Sequence, residues 1–176
     1  MGKRVLVVVD MQKDFVDGSL GSKEAVSIVP AVVKKARDFD GTVLFTRDTH
    51  GEDYMETQEG KYLPVAHCIR GTEGWELIPE LEEMKDSRKA QCFDKPAFGS
   101  VALAEALRAM YEAGELGSVE LVGLCTDICV VSNALLIKAF MPVLPVSVDA
   151  SCCAGVTPEK HAAALETMRS CQIQIL

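Results

Sequence analysis

Short runs of β-branched and aliphatic residues alternate along this chain with segments whose apolar residues recur at helical spacing. That alternation limits the fold more than any other feature. The strand-like runs are Arg4–Val9, Thr42–Thr46, Lys89–Phe93, Val119–Leu124, Val143–Val148 and Ile173–Ile175. Between them lie helical patterns at Ala25–Phe39, Trp75–Met84, Ser100–Ala113, Thr126–Phe140 and Pro158–Cys171. Gly114 is a stop signal, and Pro158 suits a first helical turn. Val5 to Val9 is unbroken by polar residues, as in a strand covered on both faces. The pattern predicts a three-layer α/β/α, Rossmann-like fold with a six-stranded, mainly parallel sheet in the order 3-2-1-4-5-6. With 176 residues and no repeat or linker, one domain spanning 1–176 is expected.

Composition excludes several classes of partner. A net charge of −8 leaves no electrostatic footprint for nucleic acid or for an anionic membrane surface. The apolar run after Lys3 and Arg4 ends at Asp10, too soon for a secretory h-region, and no run approaches a membrane span. Seven cysteines lack zinc-finger or redox spacing. Reduced thiols in a cytoplasmic protein are therefore expected, with Cys92 and Cys171 as small core residues.

Open parallel sheets bind ligands beyond the carboxyl ends of their strands, where the strand order reverses. In the expected order, strands one and four meet at that switch, which places Asp10 and Cys129 on one crevice. Cys129 lies three residues into a helix that Thr126 or Asp127 can cap. The unpaired amides of a helix start lower a thiol pKa. A small core cysteine would fit the same position, and Asp10 could instead pair with Lys13. Asp10 is nevertheless a carboxylate at the end of an apolar strand, costly unless paired. Lys95, in DKPAFGS, follows strand three, so the loop after Asp94 must carry it inward. Together the three make a coherent set, in which Asp accepts the thiol proton and Lys stabilises the charged forms. A second group, Asp48, His50 and His67, lies in or beside the polar stretch 48–73. That stretch is too long for an ordinary connection and is of a kind that is usually functional. A solvated loop gives Asp-x-His spacing by chance often.

The segments VVVDMQKDF, DKPAFGS and GLCTDICVVSNA resemble, in order, the three signatures of the isochorismatase-like cysteine hydrolases, a group that includes the nicotinamidases. The resemblance covers nearly the whole chain. It implies Asp10, Lys95 and Cys129 as a catalytic triad. It also implies a cis peptide between Leu124 and Cys125, with the amides of Cys125 and Cys129 forming an oxyanion hole. TRDTH and PVAHC are similar to the nicotinamidase metal site. This implies a divalent ion, usually zinc, on Asp48, His50 and His67, with Glu59 as a further candidate ligand. Nicotinamidases often carry an aromatic residue shortly before the second metal histidine. Here the positions read Leu63, Pro64, Val65 and Ala66, which leaves Phe15 as a wall of the substrate pocket.

The resemblance implies amide hydrolysis through a thioester on Cys129, with nicotinamide as the leading substrate and carbamoyl or ureido compounds as the alternative. Vinyl-ether cleavage is disfavoured, because isochorismatases that perform it typically lack the cysteine. A nucleotide-binding module would need a Gly-rich turn after strand one, and DMQKDFVDG supplies none. A non-catalytic small-molecule-binding protein on the same fold would have lost a triad member. The expected partner is a small amide, and a homo-oligomer, dimer or tetramer, is expected.

Overall fold

The computed structural model describes residues 2–176. Its strands are β1 (Lys3–Val9), β2 (Thr42–Asp48), β3 (Cys92–Lys95), β4 (Leu116–Leu124), β5 (Val146–Ala154) and β6 (Gln174–Ile175). All pairings are parallel, in the expected order β3-β2-β1-β4-β5-β6. The helices are α1 (Lys13–Val16), α2 (Lys23–Asp38), α3 (Gln58–Tyr62), α4 (Pro79–Arg88), α5 (Val101–Glu112), α6 (Val131–Phe140) and α7 (Pro158–Ser170).

Alternation along β1 builds both halves of the core. Val5, Val7 and Val9 pack with Leu103 and Leu107 of α5, Ala134 and Ile137 of α6, and Leu165 and Met168 of α7. Leu6 and Val8 pack on the other face with Ile28, Val32 and Ala36 of α2 and Leu81 of α4. Each of these β1 residues is fully buried, and at about 25 cal/mol per Å² of apolar surface removed from water their burial stabilises the fold. Backbones approach closely where β1 meets β4. Gly123 pairs with Val9 at φ +114°, and a Cβ there would lie against the Val9 carbonyl. Only glycine fits just before the site.

Several element boundaries differ from the sequence expectation. The helix expected at Trp75–Met84 begins only at Pro79, which occupies its first turn. Proline disfavours the helical region for the residue before it, so Ile78 is held out of the helix at ψ 149°, and Leu77 before it bridges to Gln12. Lys89 closes α4 in the left-handed conformation, so the third strand starts at Cys92 rather than Lys89. The fifth strand starts after Pro145 and continues to Ala154 through the polar residues Asp149 and Ser151, with its register to β4 shifted. Cys171 is exposed rather than in the core.

The polar interruption of β5 is anchored from α2. Lys35 Nζ lies 2.6 Å from both Glu120 Oε1 and Asp149 Oδ2, and both carboxylates belong to buried residues. Burial works against the Lys35 charge, but the two carboxylates outweigh it and raise its pKa. Burial likewise works against Asp149, yet Lys35 and Ser151 hold its pKa below the ordinary value. The Asp149 contribution is thus present above the ordinary aspartate pKa of about 4 and lost as pH falls through its lower folded value. The Lys35 contribution is complete below the ordinary lysine pKa of about 10.4 and lost as pH rises through its raised value. Lys35→Met should therefore cost between about 1 and about 3 kcal/mol at neutral pH, between a surface and a buried pair. The gap to wild type should narrow below about pH 4, as the stranded Asp149 carboxylate takes up a proton. Urea unfolding at pH 7 and pH 3 checks this, and an equal gap at both would rule out the linkage.

Candidate active site

The switch point between β1 and β4 holds the site. Asp10 follows Val9 directly and takes φ 47°, a left-handed conformation unusual for a non-glycine residue. Its N–H is held by Thr46 of the neighbouring strand, and Thr46 Oγ1 donates to Asp10 Oδ1 at 2.6 Å. Asp10 Oδ2 lies 2.7 Å from Lys95 Nζ and makes no aligned hydrogen bond. Lys13 pairs with Glu73 and Glu76 instead.

Lys95 is the last residue of β3, not part of a loop after it. No loop carries it inward. Register pairs Lys95 with Asp48 at the end of β2, and its side chain crosses the end of that strand to reach β1. Two strand spacings amount to about 10 Å, and the long lysine stem covers what the sheet twist leaves. Lys95 is fully buried. Its Nζ is 3.3 Å from Asp48 Oδ1, 3.2 Å from the Ala97 carbonyl and 3.4 Å from Cys129 Sγ. Burial opposes its charge, but Asp10, Cys129 and Asp48 outweigh it and raise its pKa.

Cys129 lies in a wide, π-helical turn, Thr126–Val130, that precedes α6. Helix α6 thus starts at Val131 rather than Thr126. The Leu124–Cys125 peptide before the turn is cis. Neither Thr126 nor Asp127 caps the turn. Thr126 pairs with His161, and Asp127 accepts from the Val156 N–H. The expectation of a lowered thiol pKa is also corrected. Burial, and then the Asp10 carboxylate, push the Cys129 thiol well up, while Lys95 pulls the other way. Burial also raises the Asp10 carboxyl, with Lys95 lowering it. At rest the proton therefore belongs on sulfur, beside a carboxylate that is an unusually good base.

A cavity of about 620 Å³ opens from Cys129 to solvent, within the range of ordinary ligand pockets. Phe15, Leu63, Phe98, Ile128 and Val156 supply apolar wall, and Cys125 and Cys129 lie against it. Phe15 lines it as expected, with its ring 5.4 Å from that of His67.

Asp48, His50, Glu59 and His67 converge at one side of this cavity, each offering a ligand atom within 4.8 Å of the others. The long stretch 48–73 folds back to make this possible. His50 bridges to Ile69, and α3 presents Glu59. His50 Nε2 is 3.0 Å from Asp48 Oδ2, His67 Nε2 is 3.6 Å from it, and both imidazoles are 3.7 Å from Glu59 Oε1. Four ligands arranged tetrahedrally about 2.1 Å from one ion lie about 3.4 Å apart. The donor set fits a divalent cation, and two carboxylates with two imidazoles suit zinc. His67 Nδ1 is 2.8 Å from the Val65 carbonyl, which turns Nε2 into the cluster.

Two further residues, within the motif segments but not among the expected site residues, support the site. Asn133, fully buried, donates to the Cys129 and Phe98 carbonyls and accepts from the Ser100 N–H. It thereby ties the cysteine turn to the segment after Lys95. Gln12 clamps the Asp48 backbone, donating to its carbonyl and accepting from its N–H. An amide next to a buried strand end was the only available sign of Gln12.

A parallel α/β/α sheet with a buried Asp–Lys–Cys cluster at its switch point, beside a carboxylate–imidazole cluster, defines a cysteine-centred α/β ligand site. The isochorismatase domain model matches residues 4–176, and the chain belongs to that family. Among its relatives, the nicotinamidase/pyrazinamidase of Mycobacterium tuberculosis is 29% identical, with 98% of each chain covered. The crystal structure of the Bacillus subtilis nicotinamidase/pyrazinamidase is 27% identical and superposes with a TM-score of 0.85 over 98% of each chain. The zinc complex of the Pyrococcus horikoshii pyrazinamidase is 29% identical, with a TM-score of 0.79 over 99% of this chain and 98% of that one. Among the described residues no helix is long and apolar enough to cross a membrane.

Removing one member of a buried charge cluster leaves the others uncompensated. Lys95→Met should cost about 3 kcal/mol of unfolding free energy, and Lys95→Met/Asp10→Asn should recover part of it. Denaturant unfolding of the two variants measures this. A double variant less stable than the single one would show that the cluster is not electrostatically coupled.

Proposed function

We propose that this protein hydrolyses the C–N bond of a small aromatic amide of the nicotinamide type, with Cys129 as nucleophile. The observation that carries this reading is the position of Lys95 Nζ, 2.7 Å from Asp10 and 3.4 Å from Cys129 Sγ at the closed end of the cavity. The names of the relatives support the same chemistry.

Asp10 takes the Cys129 proton as the sulfur attacks the amide carbonyl. Lys95, fixed between Asp10 and Cys129, stabilises the negative charge on either partner as the proton moves. The tetrahedral oxyanion forms against the amides of Cys125 and Cys129, where one such donor contributes about 3 kcal/mol. Collapse of this intermediate breaks the C–N bond, Asp10 returns its proton to the nitrogen, and ammonia leaves. Asp10 then deprotonates a water that attacks the thioester, the C–S bond breaks to release the acid, and Asp10 returns the proton to the Cys129 sulfur. One carboxylate serves as base and then acid in each half of the reaction, a use favoured by its raised pKa. Asp48, His50, Glu59 and His67 would hold a divalent ion, with zinc the expected metal, and that ion would supply a Lewis-acid contact that orients the substrate. Phe15 and Leu63 line the space for the ring. Seven free cysteines support a reducing, cytoplasmic setting.

A carbamoyl or ureido substrate is the second reading. Leu63 favours it in one respect, since an aliphatic wall gives less stacking to a pyridine ring than an aromatic one.

Cys129→Ala should lower turnover by at least about a thousandfold while leaving the melting temperature near wild type. Ammonia release from nicotinamide, pyrazinamide and ureido compounds, before and after the substitution, reads both points. Release from ureido compounds alone would transfer the assignment to the second reading. Separately, chelator-stripped protein should take up one equivalent of Zn²⁺, and His67→Ala should weaken that uptake by at least about a hundredfold. Titration calorimetry measures this, and equal uptake by the variant would remove His67 from the set.

A further inference from the structure

The turn that carries Cys129 is fastened by one side-chain contact to α7 and by another to the segment just before it. Thr126 Oγ1 and His161 Nδ1 are 2.8 Å apart, and Asp127 Oδ1 accepts from the Val156 N–H at 2.9 Å. Thr126 is fully buried, between Cys125 and Cys129. The approach is close, for a Cβ on Gly155 would lie 2.8 Å from both Asp127 Oδ1 and the His161 nitrogen. Burial lowers the His161 pKa, and Asp127 only partly offsets this. The imidazole is therefore neutral near neutral pH, with Nδ1 free to accept from the Thr126 hydroxyl. Neither Thr126 nor His161 lines the cavity, so neither is placed to touch substrate.

We propose that His161 is a positioning residue for the reaction. By holding Thr126, it fixes the turn whose two ends are Cys125 and Cys129, and so sets where the sulfur and the oxyanion-binding amides lie relative to Asp10 and Lys95. The inference rests on Cys129 being the nucleophile. Besides the Lys95 contact with the Cys129 sulfur, this bond ties a side chain within the turn to a side chain of another element. The Asn133 contact reaches the Cys129 carbonyl from within α6, and the Asp127 contact ends on backbone. A displacement of about 1 Å at reacting atoms costs up to about a hundredfold in rate, so loss of the tether should appear in kcat.

Three variants separate positioning from folding. His161→Phe keeps a ring and removes the acceptor. Thr126→Val keeps the shape and removes the donor. His161→Asn places a polar atom near the position of Nδ1. With nicotinamide, His161→Phe and Thr126→Val should each lower kcat by about tenfold or more with KM within about twofold. The two combined should be no slower than the slower single variant, since both remove one bond. His161→Asn should recover most of the lost rate. Wild-type kcat in His161→Phe, an equally slow His161→Asn, or additive losses in the double variant would each overturn the proposal. Alkylation of Cys129 by iodoacetamide, followed by mass spectrometry at unchanged melting temperature, tests the tether without substrate. Its rate should change in His161→Phe and revert in His161→Asn. If wild type releases no ammonia from any amide, the hydrolase reading fails, and the alkylation rates still decide whether His161 positions the thiol.

Discussion

One buried ammonium organises this molecule. Lys95 Nζ sits among the Asp10 carboxylate, the Asp48 carboxylate and the Cys129 sulfur, with no exposure to solvent. A lysine in that position is tolerable only if its charge is matched and its donors are used. The match comes from the ends of three adjacent strands and the turn after a fourth. The sheet must therefore be in its observed order and register for the ion cluster to exist. Removal of any strand end would leave a charge stranded in the core.

Asp48 joins two kinds of chemistry through its two oxygens. Oδ1 faces Lys95, while Oδ2 faces His50 and His67. Burial works against its ionisation, but the histidines and Lys95 outweigh it and hold its pKa far below the ordinary value. It is thus an anion that joins Lys95 to the two histidines. Gln12 fixes its backbone from the segment just after Asp10, which makes the end of β1 responsible for both halves of the site.

The fold was largely legible because buried parallel strands leave a plain mark. Val5–Val9 has apolar side chains on both faces, and the helices carry one apolar stripe each. The misreadings have specific causes. Pro79 and Lys89 displaced α4 and β3 through backbone preferences that an apolar pattern does not register. Asp149 and Ser151 concealed the length of β5, because a charged residue within a strand is credible only once Lys35 of α2 is seen beside it. Cys129 does lie at the switch point beside Asp10 and Lys95, but the expected influence of a helix start on its thiol is overridden by burial and by Asp10. Thr126 looked like a cap but pairs instead with His161, and Asn133 gave no sign, since its contacts with Phe98 and Ser100 join segments distant in the chain.

Chain order alone carried the class of the fold, the strand order and the residue types gathered at the switch point. These follow from local periodicity and from the handedness of parallel connections, which are properties of short segments. Distances, ionisation and access were decided only by tertiary packing. The reach of Lys95 across β2, the raised thiol pKa and the His161 tether depend on groups far apart in the chain, 47 residues for Lys95 and Asp48, 34 for Lys95 and Cys129 and 35 for Thr126 and His161, and Glu59 meets the two histidines only because the stretch 48–73 folds back on itself. Electrostatic energies vary with burial and separation, and neither quantity is written in a segment read by itself.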